Sequence, residues 1–241
     1  MNIFITGIRG FLGSHLRAWV EAEGHSVHGG DPQLRLGDPL PAPPADAEAL
    51  IHCAHDFHKG SELTNVEGFR DLFLATEGMR RIFVSSHSAR PDAVTEYGIA
   101  KYRIEQFWQG DNAVIVRPGL VIGPGGRYAQ QMRLLRKLPH VPVVDYGRDP
   151  VAVLPLEEFS AAIGKLLKTG TVSEYNLFVT PMPTMRELVR KEIHAPIISI
   201  PDPSGKPSNS GAESEACAQF ESSRTASRGG FQVLCRFAQL T

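Results

Sequence analysis

Apolar positions along the chain alternate between two periods from the first residue to about residue 200. Residues 2–6 (NIFIT) form a short apolar run, read as a buried strand. Leu12, Leu16, Trp19 and Val20 then recur at i, i+4, i+7 and i+8, one face of a helix, and Gly24 is placed to end it. Further strands are predicted at 25–28, 49–53, 81–85 and 113–117. Helix patterns separate the later ones, with Val66, Phe69, Leu72 and Phe73 on one face and Ala100, Ile104, Phe107 and Trp108 on the next. Beyond Arg117 the pattern predicts a Gly- and Pro-rich loop (PGLVIGPGG) and a helix through 131–137. An extended HVPVV, a helix over 156–168, a strand near 175–179, a helix over 184–193 and a final IISI follow. Alternating strands and helices of this kind predict an α/β fold, a parallel sheet covered by helices on both faces.

Two segments depart from the alternation. Residues 31–48 hold five prolines and exclude a long helix, so the crossover there is expected to be abbreviated or replaced by extended chain around a short strand at 34–36. From about residue 204 the chain turns polar and small, with too few apolar residues to offset the entropy of ordering. Residues 204–241 are therefore expected to be a disordered tail, its last stretch FQVLCRFAQL included.

At 241 residues the chain has room for one main domain with a buried core. Lys and Arg total 25 against 26 Asp and Glu, with no basic block, which argues against a nucleic-acid partner. The N-terminus lacks a basic lead-in before a long apolar core, and no run of about 18 apolar residues occurs, so a cytoplasmic protein with no membrane partner is expected. Cys53, Cys217 and Cys235 are odd in number and form no CxxC pair, which predicts reduced thiols.

Residues 51–58, IHCAHDFH, bring together three side-chain types that bind transition metals. The geometry opposes a metal: in a continuing strand His52 and His55 point to opposite faces, and no second cluster offers the remaining ligands. Gly7, Gly10 and Gly13 (TGIRGFLG) follow a predicted strand and open a predicted helix. That is the context in which glycines allow close backbone approach and a helix N-terminus offers N–H groups to a pyrophosphate. Further on, FVSSHS ends a strand, and Tyr97 and Lys101 in YGIAK stand one helical turn apart, able to reach one ligand from one face.

The GxxGxxG spacing with FVSSHS and YxxxK resembles the short-chain dehydrogenase/reductase superfamily, in particular its extended branch, the NAD-dependent epimerase/dehydratase family. The resemblance runs from Met1 to about Ile200. It takes in ALIHCAH at the family's fourth strand, NVEG, RPGLVIGPGG and EEFSAAI. It implies a Rossmann-like, doubly wound parallel sheet, with an NAD(P)-binding domain over 1–203, substrate-binding elements within about 119–203, and a non-family tail over 204–241.

For the cofactor, the resemblance implies contacts from Gly7, Arg9, Gly10, Phe11, Leu12, Gly13, Cys53, Ala54, His55, Asn65, Ser85, Pro118 and Gly119. Asp31, where the family places an acidic residue on the adenosine ribose, favours NAD. Arg9, where some members hold the extra phosphate, favours NADP. Asp38 is either the family's adenine-side aspartate or an ordinary turn residue.

Ser86, Tyr97 and Lys101 are the implied catalytic set. A tyrosine titrates near 10 in isolation, and a neighbouring ammonium favours phenolate. Tyr97 then exchanges a proton with the substrate oxygen as hydride moves at the same carbon, while Lys101 binds the nicotinamide ribose and Ser86 holds the reacting oxygen. The implied substrate is a nucleotide-linked sugar, with Ser86, His87 and Arg127 toward it, and the reaction is epimerisation or reduction.

The residues after Ser86 depart from the family's pattern. His87 and Ser88 replace the acidic pair of its dehydratases, so dehydration is not expected. Only ten residues separate Ser86 from Tyr97, a short substrate loop. A non-catalytic dinucleotide sensor is the rival expectation, and a homodimer is implied by resemblance. His52 has a place in the strand, as a core residue. His55, Asp56 and His58 remain either substrate contacts or solvated loop residues.

Overall fold

The computed structural model describes residues 1–29, 43–108, 112–169 and 173–200. Asp31, Asp38, the expected strand at 34–36, Cys217, Cys235 and the tail from 204 lie outside the described residues. The chain divides into two units, Met1–Pro118 with Leu156–Leu177, and Gly119–Pro155 with the chain from Phe178 onward.

The first unit is built in chain order from β1 (Asn2–Thr6), α1 (Phe11–Ala22), β2 (Ser26–His28), β3 (Ala49–His52), α2 (Glu62–Ala75), β4 (Arg80–Val84), α3 (Glu96–Phe107) and β5 (Ala113–Pro118). Residues 119–155 belong to the second unit and contribute β6 (Leu120–Ile122), α4 (Arg127–Leu135), β7 (Val141–Val144) and β8 (Val153–Pro155). The first unit is then completed by α5 (Leu156–Lys168) and β9 (Ser173–Leu177), and the second by α6 (Met185–Glu192) and β10 (Ile197–Ile200).

Six strands of the first unit form one all-parallel sheet in the order β2, β1, β3, β4, β5, β9. β3, β4 and β5 are buried at every position, which is why they read as near-continuous apolar runs rather than as alternating ones. Phe4, Leu50, Phe69, Leu72, Phe83, Ile104, Trp108 and Ile115 make one core cluster, drawn from the sheet and from α2 and α3. α1 and α5 also meet within this unit. A Cβ built on Gly164 would lie 2.0 Å from the Trp19 ring, so glycine is what lets the indole seat there.

Strand order reverses at β1, with β2 on one side and β3 on the other. In an open parallel sheet such a reversal leaves a crevice outside the carboxyl ends of the strands, because the loops there diverge to opposite faces. Here that places the residues after Thr6 and after His52 at one crevice.

In the second unit β6 pairs with β8 and β7 with β10, both parallel. Its core gathers Tyr128, Met132, Val141, Val143, Leu188, Val189 and Ile193. α6 begins in a capping box, Thr184 accepting from the Glu187 backbone and the Glu187 carboxylate accepting in return. The elements here differ in places from the sequence reading. The stretch read as a loop contains β6, registered by Leu120 N–H donating to Ala152 O at 2.7 Å. The next helix starts at Arg127 rather than 131, its first turn anchored by buried Tyr128. No helix among the described residues is long and apolar enough to cross a membrane.

Candidate functional site

The glycine loop joins β1 to α1. Gly7 takes φ +69°, a left-handed conformation open to glycine, and a Cβ on it would lie 2.7 Å from the Ala54 nitrogen. A Cβ on Gly13 would lie 2.2 Å from the Gly7 carbonyl oxygen, so the helix can begin this close to the strand only with glycine there. Gly10 N–H donates to Gly7 O at 2.8 Å, closing the turn. α1 starts from Gly10 with no side-chain cap and no acidic residue in its first turn. Its opening N–H groups and the positive end of its dipole are therefore offered to an anion. Phe11 and Leu12 lie in that first turn, Arg9 is exposed in the loop, and Cys53, Ala54 and His55 follow β3 on the facing side.

The second cluster forms at the carboxyl end of β4. Thr95 caps α3, its hydroxyl accepting from Gly98 N at 3.1 Å, which fixes where the helix starts and hence the faces of Tyr97 and Lys101. Lys101 is buried, and its ammonium donates to Val84 O, the last residue of β4, at 2.8 Å. Its Nζ lies 4.7 Å from the Phe83 ring centre and 5.8 Å from that of Tyr97. Helix pair and strand end are thus brought together, with Ser85 and Ser86 next along the chain. Ser86 Oγ lies 2.8 Å from Ser88 Oγ and accepts from Ser88 N at 3.2 Å, and His87 N donates to Pro118 O at 3.0 Å.

Burial lowers Lys101 to about 8, against the pull of Cys53 and Glu105. Burial also pushes the Cys53 thiol up to about 12. His87 is likewise lowered, by burial and then by the charges of Arg90 and Arg117.

Beneath this end of the sheet lies a charged network that the sequence reading did not single out. Glu105 is 1 % exposed and Arg117 is 1 % exposed. Arg117 Nε donates to Glu105 Oε1 at 2.6 Å and Nη2 to Oε2 at 2.5 Å, a two-pronged fork. Ser85 Oγ donates to the same Glu105 Oε1 at 2.6 Å, and Arg117 Nη1 donates to Glu174 on β9 at 2.8 Å. Burial pushes the Glu105 carboxyl up, opposed by Arg117. Burial opposes the Arg117 charge too, but the two carboxylates outweigh it and hold the guanidinium above its ordinary value. Glu105 stands one turn beyond Lys101, in step with Tyr97 and Lys101 along the helix, and that spacing was the available signal.

The stretch IHCAHDFH is divided by the structure. His52 is fully buried; its Nδ1 shares a hydrogen bond with Thr6 Oγ1 at 2.5 Å, and its ring is packed edge-on to Phe69 at 3.7 Å and stacked with Phe83 and Trp108. Its Nε2 has no partner among the described residues, so the imidazole is only half satisfied. His55 meets the Tyr97 ring edge-on at 4.7 Å and Phe57 stacks on it at 5.6 Å. Asp56 engages His58: its carboxylate accepts from His58 N at 2.9 Å and lies 2.5 Å from His58 Nδ1.

Asn65 organises the loop between them. Its amide oxygen accepts from Asp56 N at 2.9 Å, and its nitrogen donates to Asp56 O at 3.0 Å and Ser61 O at 2.9 Å. A recess of about 60 Å³ lies between this loop and α3, lined by His55, Phe57, Asn65 and Tyr97 among others. Among the described residues no group of three or more His, Cys, Asp or Glu is arranged to hold a metal ion.

Pro118 ends β5 in the first unit. Gly119 and Arg127 belong to the second, where a Cβ on Gly119 would lie 2.4 Å from Ala152 O and Arg127 opens α4, exposed.

No protein-family profile matches the chain, and no curated protein matches it in sequence. Solved structures match it in fold. A dTDP-4-dehydrorhamnose reductase from Clostridium acetobutylicum superposes with a TM-score of 0.73 at 16 % identity, over 86 % of each chain. Another dTDP-4-dehydrorhamnose reductase, from Bacillus anthracis and in complex with NADP, gives 0.68 at 20 % identity, over 84 % of this chain and 86 % of that one. The UDP-glucose 4-epimerase of Thermotoga maritima, with UDP-glucose, gives 0.67 at 18 %, over 85 % and 87 %. At these identities the likeness establishes the fold.

Proposed function

We propose that the chain is an NAD(P)-dependent reductase or epimerase of the extended short-chain dehydrogenase type, acting at a carbinol or ketone carbon of a nucleotide-linked sugar. The observation that carries the reading is the Lys101 bond to Val84 O, which sets Tyr97 and Lys101 against the strand end bearing Ser85 and Ser86. The structural neighbours named above, reductases and an epimerase of nucleotide sugars, support it.

A dinucleotide fits the residues present: glycine at 7 and 13 lets the backbone of β1, the start of α1 and residues 53–54 close together, and the uncapped start of α1 suits a pyrophosphate. Gly7, Gly10 and Gly13 would hold its phosphates, with Arg9, Phe11 and Leu12 beside them. Cys53, Ala54, His55, Asn65, Ser85, Lys101, Pro118 and Gly119 would line the rest. When bound, the nicotinamide supplies or accepts hydride. Tyr97 donates the proton to the oxygen of the reduced carbon, or removes it in the opposite direction, and Ser86 hydrogen-bonds that oxygen. His55 and Phe57, packed on Tyr97, shape the approach to it, and the family resemblance assigns His87 and Arg127 to the substrate.

On this reading residues 119–203 supply substrate-binding elements, and the protein is a cytoplasmic homodimer. Light scattering and cell fractionation test the last two points.

The central test is a fluorescence titration of the purified protein with NADH and NADPH, followed by dTDP-4-keto sugars and UDP-glucose as substrates. Nucleotide binding with consumption of reduced nicotinamide, or epimer formation, is expected. Binding without turnover on any nucleotide sugar would instead identify a dinucleotide sensor, and no binding of either nucleotide would overturn the proposal. Asp31 and Arg9 pull in opposite directions on cofactor choice, so the ratio of the two dissociation constants decides between NAD and NADP.

A further inference from the structure

α3 carries three polar side chains one turn apart: Tyr97, Lys101 and Glu105. The first two face the candidate chemistry, and the third faces inward to Arg117 on β5 and Ser85 after β4. A carboxylate taken out of water in this way needs compensation, and here both of its oxygens are gripped by a guanidinium fork while a hydroxyl donates to one of them. Ser85 is the neighbour of Ser86 in the chain. One carboxylate therefore ties the helix of Tyr97 and Lys101 to the strand end of Ser85 and Ser86.

We propose that Glu105 is the positioning residue of this site: held by Arg117 and Ser85, it locks α3 in register against the ends of β4 and β5 and is the buried counter-charge to the Lys101 ammonium. The inference rests on the proposed function for its meaning in catalysis, while the coupling it describes is measurable without cofactor.

The groups facing Lys101 are few and can be set against one another. Tyr97 and Glu105 share its helix, the Val84 carbonyl and Phe83 face it from β4, and His52 and Cys53 act on it from the end of β3. His52 is held neutral by burial and by the lysine itself. Cys53, lifted to about 12, is a neutral thiol throughout the range in which Lys101 titrates, near 8. Glu105 is the anion that remains to act on Lys101. Glu105 in turn faces Arg117, Ser85 and, through Arg117, Glu174. The Arg117 fork keeps it a carboxylate, since only an ionised partner accepts both prongs.

The test is a comparison of the full-length protein with Glu105→Gln, which keeps the shape and an oxygen for Ser85 but removes the charge. The Lys101 titration is followed by NMR of protein labelled at the lysine side chains, its signal assigned with Lys101→Arg. NADPH affinity is measured by fluorescence over the same pH range. In Glu105→Gln the Lys101 midpoint is expected to fall by about one pH unit, a tenfold change in the ammonium-to-amine ratio. The alkaline loss of NADPH affinity should move down with it.

Because Glu105→Gln leaves Arg117 buried against one carboxylate only, Glu105→Gln with Arg117→Met provides a charge-balanced second variant, in which the Lys101 midpoint is again expected to fall. A role in packing alone would lower the melting temperature without moving the midpoint. A folded variant whose Lys101 midpoint stays at the wild-type value overturns the proposal. A moved midpoint in a protein that binds neither NADPH nor NADH supports the coupling and overturns the proposed function, so the two failures are distinguishable.

Discussion

Lys101 sits where an ammonium is costly, and its loss should therefore cut both ways. With its titration moved from 10.5 to about 8, the charge works against the fold at neutral pH. At about 1.4 kcal/mol per unit, partly offset by the lost bond to Val84 O, Lys101→Met is expected to stabilise the protein by roughly 1–3 kcal/mol while removing nucleotide binding. Chemical denaturation and fluorescence titration check the two halves. Tyr97→Phe is expected to lower turnover by about 10²–10⁴-fold with nucleotide affinity retained, since it removes one proton and little else; full turnover in that variant would reject the mechanism. His52 and His87 give a third expectation. Both are held neutral in the fold, so below about pH 6.5 the unfolded chain binds more protons than the folded one. Stability is present in full above that pH and falls as acid is added, by at most about 1.4 kcal/mol per pH unit for each histidine; urea midpoints from pH 7 to 5 measure it, and His52→Gln should flatten the curve. At this scale the sequence was legible where spacing is rigid, as with three glycines at a strand-helix junction and a tyrosine and lysine one turn apart. It was not legible at Glu105, because an acidic residue on a helix looks the same whether it faces water or a buried arginine.

Elements join the site through a few close contacts, and these set where substitution hurts. Gly13 puts α1 against the Gly7 carbonyl, and Gly164 puts α5 against Trp19 of the same helix. Gly13→Ala is therefore expected to abolish nucleotide binding. Gly164→Ala should cost roughly 1–3 kcal/mol, the usual range for overpacking, and lower the melting temperature while sparing the loop's own residues. Periodicity found the strands of the main sheet to within two residues, because burial on both faces makes their centres apolar, as in residues 82–84 and 113–116. It missed β6 and β8, three residues each, because their pairing depends on a partner more than thirty positions away and not on their own composition. Gly164 was also unreadable: a glycine within a helix pattern gives no hint of the indole it admits. The loop after β3 shows a third limit. The resemblance assigns Asn65 to the cofactor; in the structure its amide is taken up by Asp56 and Ser61, which makes it the anchor of the loop that lays His55 and Phe57 on Tyr97.

For the molecule as a whole, a parallel sheet covered on both faces was readable from alternation, since strands and crossover helices differ in period, and the doubly wound order came from the family resemblance. The division into two units was harder to see, because both are made of the same alternating text and the chain visits the second unit twice. That path has a consequence for the chain as it is made. β5, buried at every position, pairs with β4 on one side, but its outer edge is covered by β9, residues 173–177, after the 119–155 segment and α5 have been synthesised. For more than fifty residues of elongation the ribosome presents a bare, unpaired strand edge, together with an Arg117 whose second carboxylate has not yet been made. Chains released before residue 173 are accordingly expected to enter inclusion bodies or bind chaperones, whereas chains extended through residue 177 should remain in the supernatant, a difference that pelleting of nascent-chain lengths measures directly.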